Sequence, residues 1–473
     1  MSLLDALKAP WLNLRRMTLT RRRVSVFFRQ AGMGNWQFVA REIRRNPALA
    51  RSPLRDDHGG TLLQSSSRGL PYDIARLVIR WDQSHIGARH LESQETALHR
   101  AAKAGREDLV QLLLENGANV NAEDRRGMTP LCHAICSTSR KAPAVVRLLM
   151  GNGGTTRCDL IDNALGDKVE AVREAILSYG DDARLNDVIE RNNGFSPLHC
   201  AALMGHVEVV QFLVELTGSR RWRGIDLHEI RRERQRELEA EDNTRRTALE
   251  YAVLGGSEDV VKILLDNSVI GRRQMDNLLL GAARTGQARI ADLLIGQGAD
   301  VNCRDLQEHT PLLAAASEGH EEVVRILRRR GADVNAKSEG GWSALHGAVA
   351  RGDADVAEML IKQAGADVDA YDGRGIRPLH IAAKHGRVDL AELLLSAGAS
   401  ANPGNDRVAG EGPLHIACEK GDLDMAVLLI RYGADVNSKT RQGYSVLDKT
   451  RGSRVPRAKR KALEQILRKK GAK

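Results

Sequence analysis

A short pattern of small, apolar and histidine residues returns along this chain at nearly constant intervals. It is clearest as TALHRAAK at 96–103, SPLHCAAL at 196–203, SALHGAVA at 343–350, RPLHIAAK at 377–384 and GPLHIACE at 412–419. The pattern starts at Thr96, Thr129, Ser196, Thr247, Asn277, Thr310, Ser343, Arg377, Gly412 and Ser445, with spacings of 33, 67, 51, 30, 33, 33, 34, 35 and 33 residues. A period near 33 residues predicts stacked copies of one small unit rather than a few independent globular domains.

The irregular spacings contain further copies of the unit. The gap of 67 residues is two periods, with a degenerate copy in LGDKVEAVREAILSYGDD at 165–182. The gap of 51 is one period plus an Arg/Glu-rich segment near 218–243, which we interpret as a solvated helical insertion of mixed charge. Two degenerate copies precede Thr96, one in residues 60–79 and one whose second helix is GNWQFVAREI at 34–43. About thirteen units therefore cover nearly the whole chain.

Each unit has the signals of two short helices and a loop, which are clearest at 310–335. Thr310 is a suitable N-cap and Pro311 suits the first helical position, where no N–H donor is needed. The first helix should end near Gly319, and a second should end at Gly331 in a left-handed cap. Two such helices cannot bury their apolar faces alone, so neighbouring units must stack into one continuous core.

The T-P-L-H-x-A-A, G-H-x-E-V-V and G-A-D-V-N segments at this period resemble the ankyrin repeat from about residue 25 to the C-terminus. The resemblance implies an all-α repeat solenoid of stacked helix-turn-helix units with loop or β-hairpin fingers. We expect six consecutive regions. They are a basic tail at 1–24, degenerate repeats at 25–95, repeats at 96–217 with one degenerate unit near 150–190, a charged insertion at 218–246, regular repeats at 247–444 and a basic capping repeat at 445–473.

The histidine at the fourth position of the pattern could be a catalytic base or a structural residue. It is present as His99, His199, His346, His380 and His415. The same position holds Leu313, Glu250, Leu280 and Cys132 in other units. A residue that leucine replaces is structural, and the N-cap and helix dipole favour an uncharged, hydrogen-bonded imidazole there. The resemblance likewise implies that this histidine joins loop to helix.

Other motifs give no stronger indication of catalysis or of a cofactor. GHEEVV at 319–324 lacks the second histidine of a zinc-protease helix, and MGNGGTT at 150–156 lacks the lysine of a phosphate-binding loop. Cys132, His133, Cys136 and Cys158 could be zinc ligands, but buried thiols at small-residue positions are the preferred interpretation. We therefore expect no enzymatic activity, no cofactor and no metal, and leave open an enzyme site in the irregular regions 150–195 and 218–246.

Composition and charge limit the compartment and the partners. Six scattered cysteines without a CxxC pair, no apolar run long enough for a membrane-spanning helix and no signal peptide predict a cytoplasmic or nuclear protein. The whole chain carries +10, and residues 1–45 and 454–473 carry +8 each, so residues 46–453 carry −6. The basic C-terminus reads as a capping helix with an apolar stripe of Ala458, Ala462, Ile466 and Leu467, although RAKRK also resembles a nuclear-import cluster.

The resemblance implies that partner proteins dock on a concave surface formed by loop tips and first helices. Bulky residues precede several N-caps, as a hydrophobic staple would require, but Trp342 and Tyr444 lack an apolar partner at the fourth helical position. An exposed tryptophan favours a contact role. The partner-binding candidates are Trp342, Tyr444, Tyr371, Arg374, Arg351, His385, His309 and Arg441. We expect a monomeric scaffold or adaptor for protein partners. Nucleic-acid binding through the basic termini is the alternative.

Overall fold

A computed structural model of the chain describes residues 21–472 except 34, 47–48, 50–59, 66–68, 138, 140, 157, 180–194, 220–237, 243, 403–410 and 453–455. The described residues fall into two compact units. The N-terminal unit takes residues up to 219 together with 239–248, and the C-terminal unit takes Leu238 and residues from 249 onwards. The predicted basic tail lies mostly outside the described residues, as does most of the charged insertion.

The N-terminal unit consists of short helices that follow one another in pairs. They are α1 (Arg21–Gly32), α2 (Trp36–Arg45), α3 (Leu62–Ser65), α4 (Tyr72–Trp81), α5 (Ala97–Lys103), α6 (Glu107–Glu115), α7 (Pro130–Ile135), α8 (Ala142–Gly151), α9 (Asp159–Leu165), α10 (Val169–Tyr179), α11 (Pro197–Met204) and α12 (Val207–Ser219). The pair α9 and α10 lies in the region of the predicted degenerate unit, and α10 covers Val169–Tyr179 of the stretch at 165–182.

The C-terminal unit continues the same alternation. Its helices are α13 (Ala248–Gly255), α14 (Glu258–Asn267), α15 (Arg272–Thr285), α16 (Ala288–Gly296), α17 (Pro311–Glu318), α18 (Glu321–Arg329), α19 (Ala344–Arg351), α20 (Ala354–Glu358), α21 (Pro378–His385), α22 (Val388–Ser396), α23 (Pro413–Lys420), α24 (Leu423–Arg431), α25 (Val446–Gly452) and α26 (Arg457–Lys469). The described residues of both units thus contain thirteen helix pairs, here called repeats 1 to 13.

The all-α class is confirmed. The described residues contain no β-strand, and their isolated β-bridge joins Lys439 to Ser445 in the last finger. The fingers, meaning the loops that join one repeat to the next, are built from turns. None of the described helices is both long and apolar enough to cross a lipid bilayer.

Repeat 9 shows how the local signals produce a helix pair. The Thr310 hydroxyl accepts the backbone N–H of Leu313 at 3.2 Å, and α17 begins at Pro311 as predicted. Gly319 ends α17 with a φ of 73°, in the left-handed region where a Cβ is unfavourable. The second helix α18 buries Val323, Val324 and Leu327 on one face.

The core of each unit is built by like helices packing on like. First helices contact the first helices of the next repeat, as α17 does with α19 and α19 with α21. Second helices likewise contact the second helices of the next repeat, as α18 does with α20 and α20 with α22. Alanines such as Ala315, Ala348 and Ala382 are fully buried in the first-helix layer, because small side chains allow close approach of neighbouring helices.

The spacing of 34 residues between Ser343 and Arg377 has a local cause. Helix α20 continues into a π-helical turn over Met359–Gln363. A π turn accommodates one extra residue without breaking the helix. The following Gly365 has a φ of 70°, in the same left-handed region as Gly331 at the equivalent end of α18. The repeat therefore absorbs its extra residue within the second helix.

The base of each finger is joined to the next by an asparagine ladder. The Asn302 Oδ1 accepts the backbone N–H of Asp333 at 2.8 Å, and Asn335 does the same for Asp367 at 2.9 Å. The side-chain amide of Asn402 both accepts and donates: its Oδ1 accepts the Asp435 N–H at 2.7 Å, and its Nδ2 donates to Gly433 O at 2.9 Å. These bonds satisfy loop backbone groups that helix packing leaves without partners.

The apolar stripe predicted for the last helix is partly wrong. Leu463 and Leu467 are fully buried in α26, whereas Ala458 is exposed and Ala462 and Ile466 are partly exposed. The two leucines lie four residues apart on one helix face, and their longer side chains reach the preceding repeat. The outer face of α26 carries the basic residues, as expected of a terminal helix.

Candidate protein-binding surface

The repeated histidines use one ring nitrogen to bond the start of their own helix and the other to bond the next finger. In His346, Nδ1 accepts the backbone N–H of Ser343 at 3.2 Å, while Nε2 lies 3.1 Å from the backbone carbonyl oxygen of Ile376 in the next finger. His99 makes the same pair of bonds with Thr96 and Met128. This geometry requires the neutral tautomer with its proton on Nε2, because a carbonyl can only accept. The structural role predicted for these histidines is confirmed.

Burial holds the repeated histidines in the neutral form. It lowers the pKa of His99 to about 4, with the nearby His133 acting in the same direction. Burial also lowers the pKa values of His199, His346 and His415. Desolvation disfavours an imidazolium, and the Nδ1 lone pair of each ring already accepts a hydrogen bond from a backbone N–H. These imidazoles are poor proton acceptors near neutral pH.

The possible metal ligands of repeats 3 and 4 already have hydrogen-bond partners within the protein. Nε2 of His133 lies 2.9 Å from Asp124 Oδ2, and Arg100 Nε donates to Glu95 at 3.0 Å. Ligand atoms of Glu95, Asp124 and His133 lie within 4.8 Å of one another, and no cysteine belongs to any such group in the described part of the chain. Burial raises the pKa of the Cys132 thiol, which favours the interpretation as a buried thiol.

Each finger ends in a five-residue turn, here called the tip. The described tips of the C-terminal unit's fingers are Asp305–His309, Ser338–Trp342, Asp372–Ile376 and Thr440–Tyr444. In the third, Asp372 Oδ1 accepts the backbone N–H groups of Arg374 at 2.9 Å and Ile376 at 2.8 Å. The fourth tip residue has a positive φ, 83° at Gly375 and 60° at Glu308, which explains the glycine in most tips.

Neighbouring tips are joined by backbone hydrogen bonds. The Glu339 N–H donates to Gln307 O at 3.1 Å, and the Gly373 N–H donates to Gly340 O at 2.8 Å. A Cβ on Gly341 would lie 2.7 Å from the Gly373 nitrogen, so this contact requires glycine. The tips that precede repeats 9 to 11 are therefore held in register from one finger to the next, and the backbone positions on them have fixed spacing.

A basic residue precedes several tips and strengthens this row. Arg304 donates to Lys337 O at 2.9 Å, and the Lys337 Nζ donates to Tyr371 O at 3.1 Å. The same Nζ lies 4.6 Å from the centre of the Tyr371 ring, within cation–π range. Tyr371 is nevertheless 57% exposed. The row Arg304, Lys337 and Tyr371, here called the finger row, presents cations and an aromatic ring on an ordered backbone.

Trp342 is not the exposed residue that the sequence indicated. It is half-buried, and its ring centre lies 5.7 Å from that of His346. Phe195 stacks in the same way on His199, at 5.4 Å. The staple partner is thus the histidine at the third helical position, which the prediction of a partner at the fourth position missed. A contact role for Trp342 remains a prediction, with only part of its ring available.

The other candidates divide between the fingers and the ends of first helices. Tyr371, Arg374, Arg441 and Tyr444 are exposed on or next to finger tips. His309 is half-buried beside Asp305, with Nδ1 3.2 Å from the carboxylate. Arg351 and His385 are exposed at the last positions of α19 and α21. Arg351 lies 3.7 Å from Glu318 of the preceding repeat.

Arg304 and Lys337 are surface residues that were not predicted from the sequence. Their signal was present, because each directly precedes the first residue of a tip, as do Arg89 and Lys439. It was weak because isolated basic residues in loops are usually only solvated. The carbonyl that each side chain reaches lies about 33 residues further on, which a single unit does not reveal.

Paired short helices, stacked first on first and second on second with hydrogen-bonded fingers between them, define a helical repeat solenoid. The sequence matches the family described as "Ankyrin repeats (3 copies)" over residues 62–162, 160–274, 279–372 and 364–440. The chain belongs to the ankyrin repeat family. The resemblance noted from the sequence motifs is confirmed.

Several known proteins are similar to parts of the chain. Rabankyrin-5 of Mus musculus is 29% identical over 189 residues, which cover 38% of this chain and 14% of the mouse protein. Probable E3 ubiquitin-protein ligase XBOS32 of Oryza sativa subsp. japonica is 28% identical over 192 residues, 34% of this chain and 38% of the rice protein. Ankyrin repeat and SOCS box protein 14 of Mus musculus is 32% identical over 123 residues, 26% of this chain and 19% of the mouse protein. The chain thus spans less than half of each relative.

Proposed function

We propose that this chain is a non-enzymatic adaptor that binds partner proteins through the finger row and the adjacent tips of its C-terminal unit. Ankyrin repeats generally mediate protein–protein interaction, which supports the broad class. The observation that carries the specific surface is Tyr371, which is more than half exposed although Lys337 lies on its ring. Tyrosine with a cation beside it offers the combination that interfaces favour.

Partners would meet a surface that needs little ordering on binding. The tips that precede repeats 9 to 11 are joined by backbone bonds, so their backbone keeps its spacing without a partner. Binding to such a surface saves part of the entropy that a flexible loop would lose. Arg374, Trp342 and His309 would add contacts on neighbouring tips. We propose that the protein works as a monomer in the cytoplasm or the nucleus.

We also propose that the chain has no catalytic activity. Two plant relatives are named E3 ubiquitin-protein ligases, but their alignments cover 34% and 27% of this chain. The buried imidazoles bridge repeats and have lowered pKa values, so they are unsuited to general-base chemistry near pH 7. The irregular regions 150–195 and 218–246, which could house an enzyme site, lie partly outside the described residues.

The proposal is tested by quantitative affinity capture from cell extract with the full chain and two single variants. We expect Tyr371→Ala to reduce recovery of specific protein partners about tenfold, the size of an interface hot spot. The matched control is Tyr72→Ala, because Tyr72 is also exposed, at 40%, but lies on α4 of the N-terminal unit. Equal recovery by both variants and the unmodified chain would contradict the proposed surface.

The same experiment separates the nucleic-acid alternative. Binding through phosphate contacts weakens steeply with salt, because each contact releases counterions. Capture of nucleic acid that is insensitive to Tyr371→Ala and lost at moderate salt would therefore favour the alternative. Protein capture that survives moderate salt and nuclease treatment would support the adaptor.

A further inference from the structure

A cavity of about 470 Å³ opens beside the finger of repeat 13. It lies between the finger, the first helix α25 and the end of the second helix α26. The residues that line it are Lys439, Gly443, Ser445, Leu447, Asp448, Arg451, Arg468 and Ala472. Only Leu447 among them is a large apolar side chain, so the cavity is polar.

The finger geometry fixes one wall of the cavity. Lys439 and Ser445 form an antiparallel bridge across the base of the tip. The Thr440 N–H donates to Tyr444 O at 2.8 Å, and Gly443 turns the chain with a φ of 84°. The bridge places the Lys439 backbone beside the start of α25. The exposed side chain of Lys439 therefore starts from an ordered backbone.

Positive charge predominates around the cavity. Lys439, Arg451 and Arg468 line it, and Asp448 is the acidic residue among the lining groups. In the described part of the chain, Arg451 has Glu464 at 3.9 Å, the outer limit of an ion pair, and no carboxylate is close enough to pair with Lys439 or Arg468. Three cations against one carboxylate leave the lining with a net positive charge available to a ligand.

Asp448 offsets part of the positive charge of the lining and also has a local structural role. It stands at the third helical position, which His346 and His415 hold in other repeats. Its Oδ2 accepts the Ser445 hydroxyl at 2.7 Å and the Ser445 N–H at 2.9 Å. These bonds lower the pKa of Asp448 and fix its carboxylate at the N-cap of α25. The charges of Arg451 and Lys439 also lower the pKa of Asp448, so its carboxylate offsets one of the three positive charges.

We propose that this cavity binds the phosphate group of a phosphorylated peptide segment. A phosphate carries about −1.5 to −2 charges at neutral pH and offers three acceptor oxygens. The two guanidinium groups provide planar donor pairs that match such oxygens, and the lysine adds a point charge. A carboxylate side chain has half of that charge and fewer acceptors. This site is separate from the finger row and does not depend on the adaptor proposal.

The test uses the full chain and an end-blocked peptide, Gly-Gly-phosphoserine-Gly-Gly, with the unphosphorylated peptide and inorganic phosphate as separate probes. Isothermal titration calorimetry at constant ionic strength measures each affinity. We expect the phosphopeptide to bind at least tenfold more tightly than the serine peptide. Phosphate alone should compete with it. Equal affinities for the two peptides would overturn the proposal without the need of any variant.

Charge-matched double variants locate the binding. Lys439→Gln combined with Arg468→Gln removes two cations from the cavity, and we expect it to weaken phosphopeptide binding about tenfold or more. Lys459→Gln combined with Lys461→Gln removes two exposed cations from α26 that do not line the cavity, and the affinity should change by less than about twofold. Circular dichroism melting of both variants verifies that they fold.

A nucleic-acid probe separates a defined pocket from a general basic surface. A short DNA duplex should bind the two double variants equally, because phosphates along a duplex meet any exposed cation. If the phosphopeptide also loses the same affinity in both double variants, the binding is non-specific and the pocket is excluded. If it loses affinity only in the Lys439 and Arg468 variant, the pocket is supported.

Discussion

At the scale of the residue, position in the repeat decides what a histidine does. His346 lies at the third helical position, is fully buried and bonds through both nitrogens. His309 lies at the end of a tip, is half-exposed and bonds to a carboxylate. His385 ends a first helix and is exposed. The same side chain is therefore a link between repeats in one place and a surface group in another.

The buried histidines should make the fold sensitive to mild acid. The pKa of His99 falls from an ordinary 6.5 to about 4 on folding. Below pH 6.5 the unfolded chain binds a proton that the folded chain does not, so acidification lowers stability through this window. From His99 alone we expect a loss of about 2 kcal/mol between about pH 7 and about pH 5.

His99→Leu tests this expectation, because Leu313 holds the same position naturally. The variant should be less stable near pH 7, having lost the links to Thr96 and Met128, but its stability should change less between the two pH values. Urea unfolding followed by circular dichroism measures both. His385→Leu, at an exposed histidine, should keep the slope of the unmodified chain. Identical slopes for all three proteins would show that folding does not lower the pKa of His99.

At the scale of the element, α20 shows how a repeat tolerates an extra residue. Its π-helical turn over Met359–Gln363 leaves Val356, Ala357 and Leu360 fully buried. The second helices of the neighbouring repeats, α18 and α22, are regular. A one-residue insertion would rotate everything beyond it by about 100° in a continuous α-helix, and the wider turn removes that rotation.

Deleting Lys362 should restore a regular helix of the length of α18. Lys362 is exposed, and its loss removes only a surface ion pair with Glu358 at 2.5 Å. We expect the free energy of unfolding to change by no more than about 1 kcal/mol. Deleting Arg325, which precedes the buried Leu327 in the regular α18, is the control, and should cost several kcal/mol because it turns Leu327 away from the core. Thermal and urea unfolding measure both, and equal costs would contradict this account.

At the scale of the whole molecule, stability is distributed along the chain. Each repeat packs mainly on its neighbours, so a repeat protein behaves nearly as a one-dimensional array. The two compact units each contain their own buried layer of alanine, leucine and valine. A local defect should therefore spread to adjacent repeats and fade with distance along the stack.

Leu345→Ala tests this distribution. Leu345 is 1% exposed in α19, and truncation of a buried leucine typically costs about 2–5 kcal/mol. Hydrogen exchange followed by mass spectrometry should show faster exchange in α17 to α22 and unchanged exchange in α5 to α8 of the N-terminal unit. Leu306→Ala, at a tip residue that is 86% exposed, is the control and should leave both regions unchanged. A uniform increase along the whole chain would instead indicate a single cooperative unit.

The sequence by itself determined the class of fold, the number of repeats and the role of the recurrent histidines. Thr310, Pro311 and Gly319 act through hydrogen bonds and backbone angles within a few residues of themselves, so their effects can be inferred from one unit. The 33-residue period then required stacking, because one helix pair cannot bury its own apolar face.

Only the tertiary structure decided which side chains meet between units. The stacking of Trp342 on His346, the contact of Lys337 with Tyr371 and the convergence of Lys439, Arg451 and Arg468 all depend on rotamers and loop geometry. The partners in the second and third cases come from residues 12 to 34 positions apart in the sequence. Their separation in space is set by the turns between them, and a turn that shifts by one residue would change every such contact.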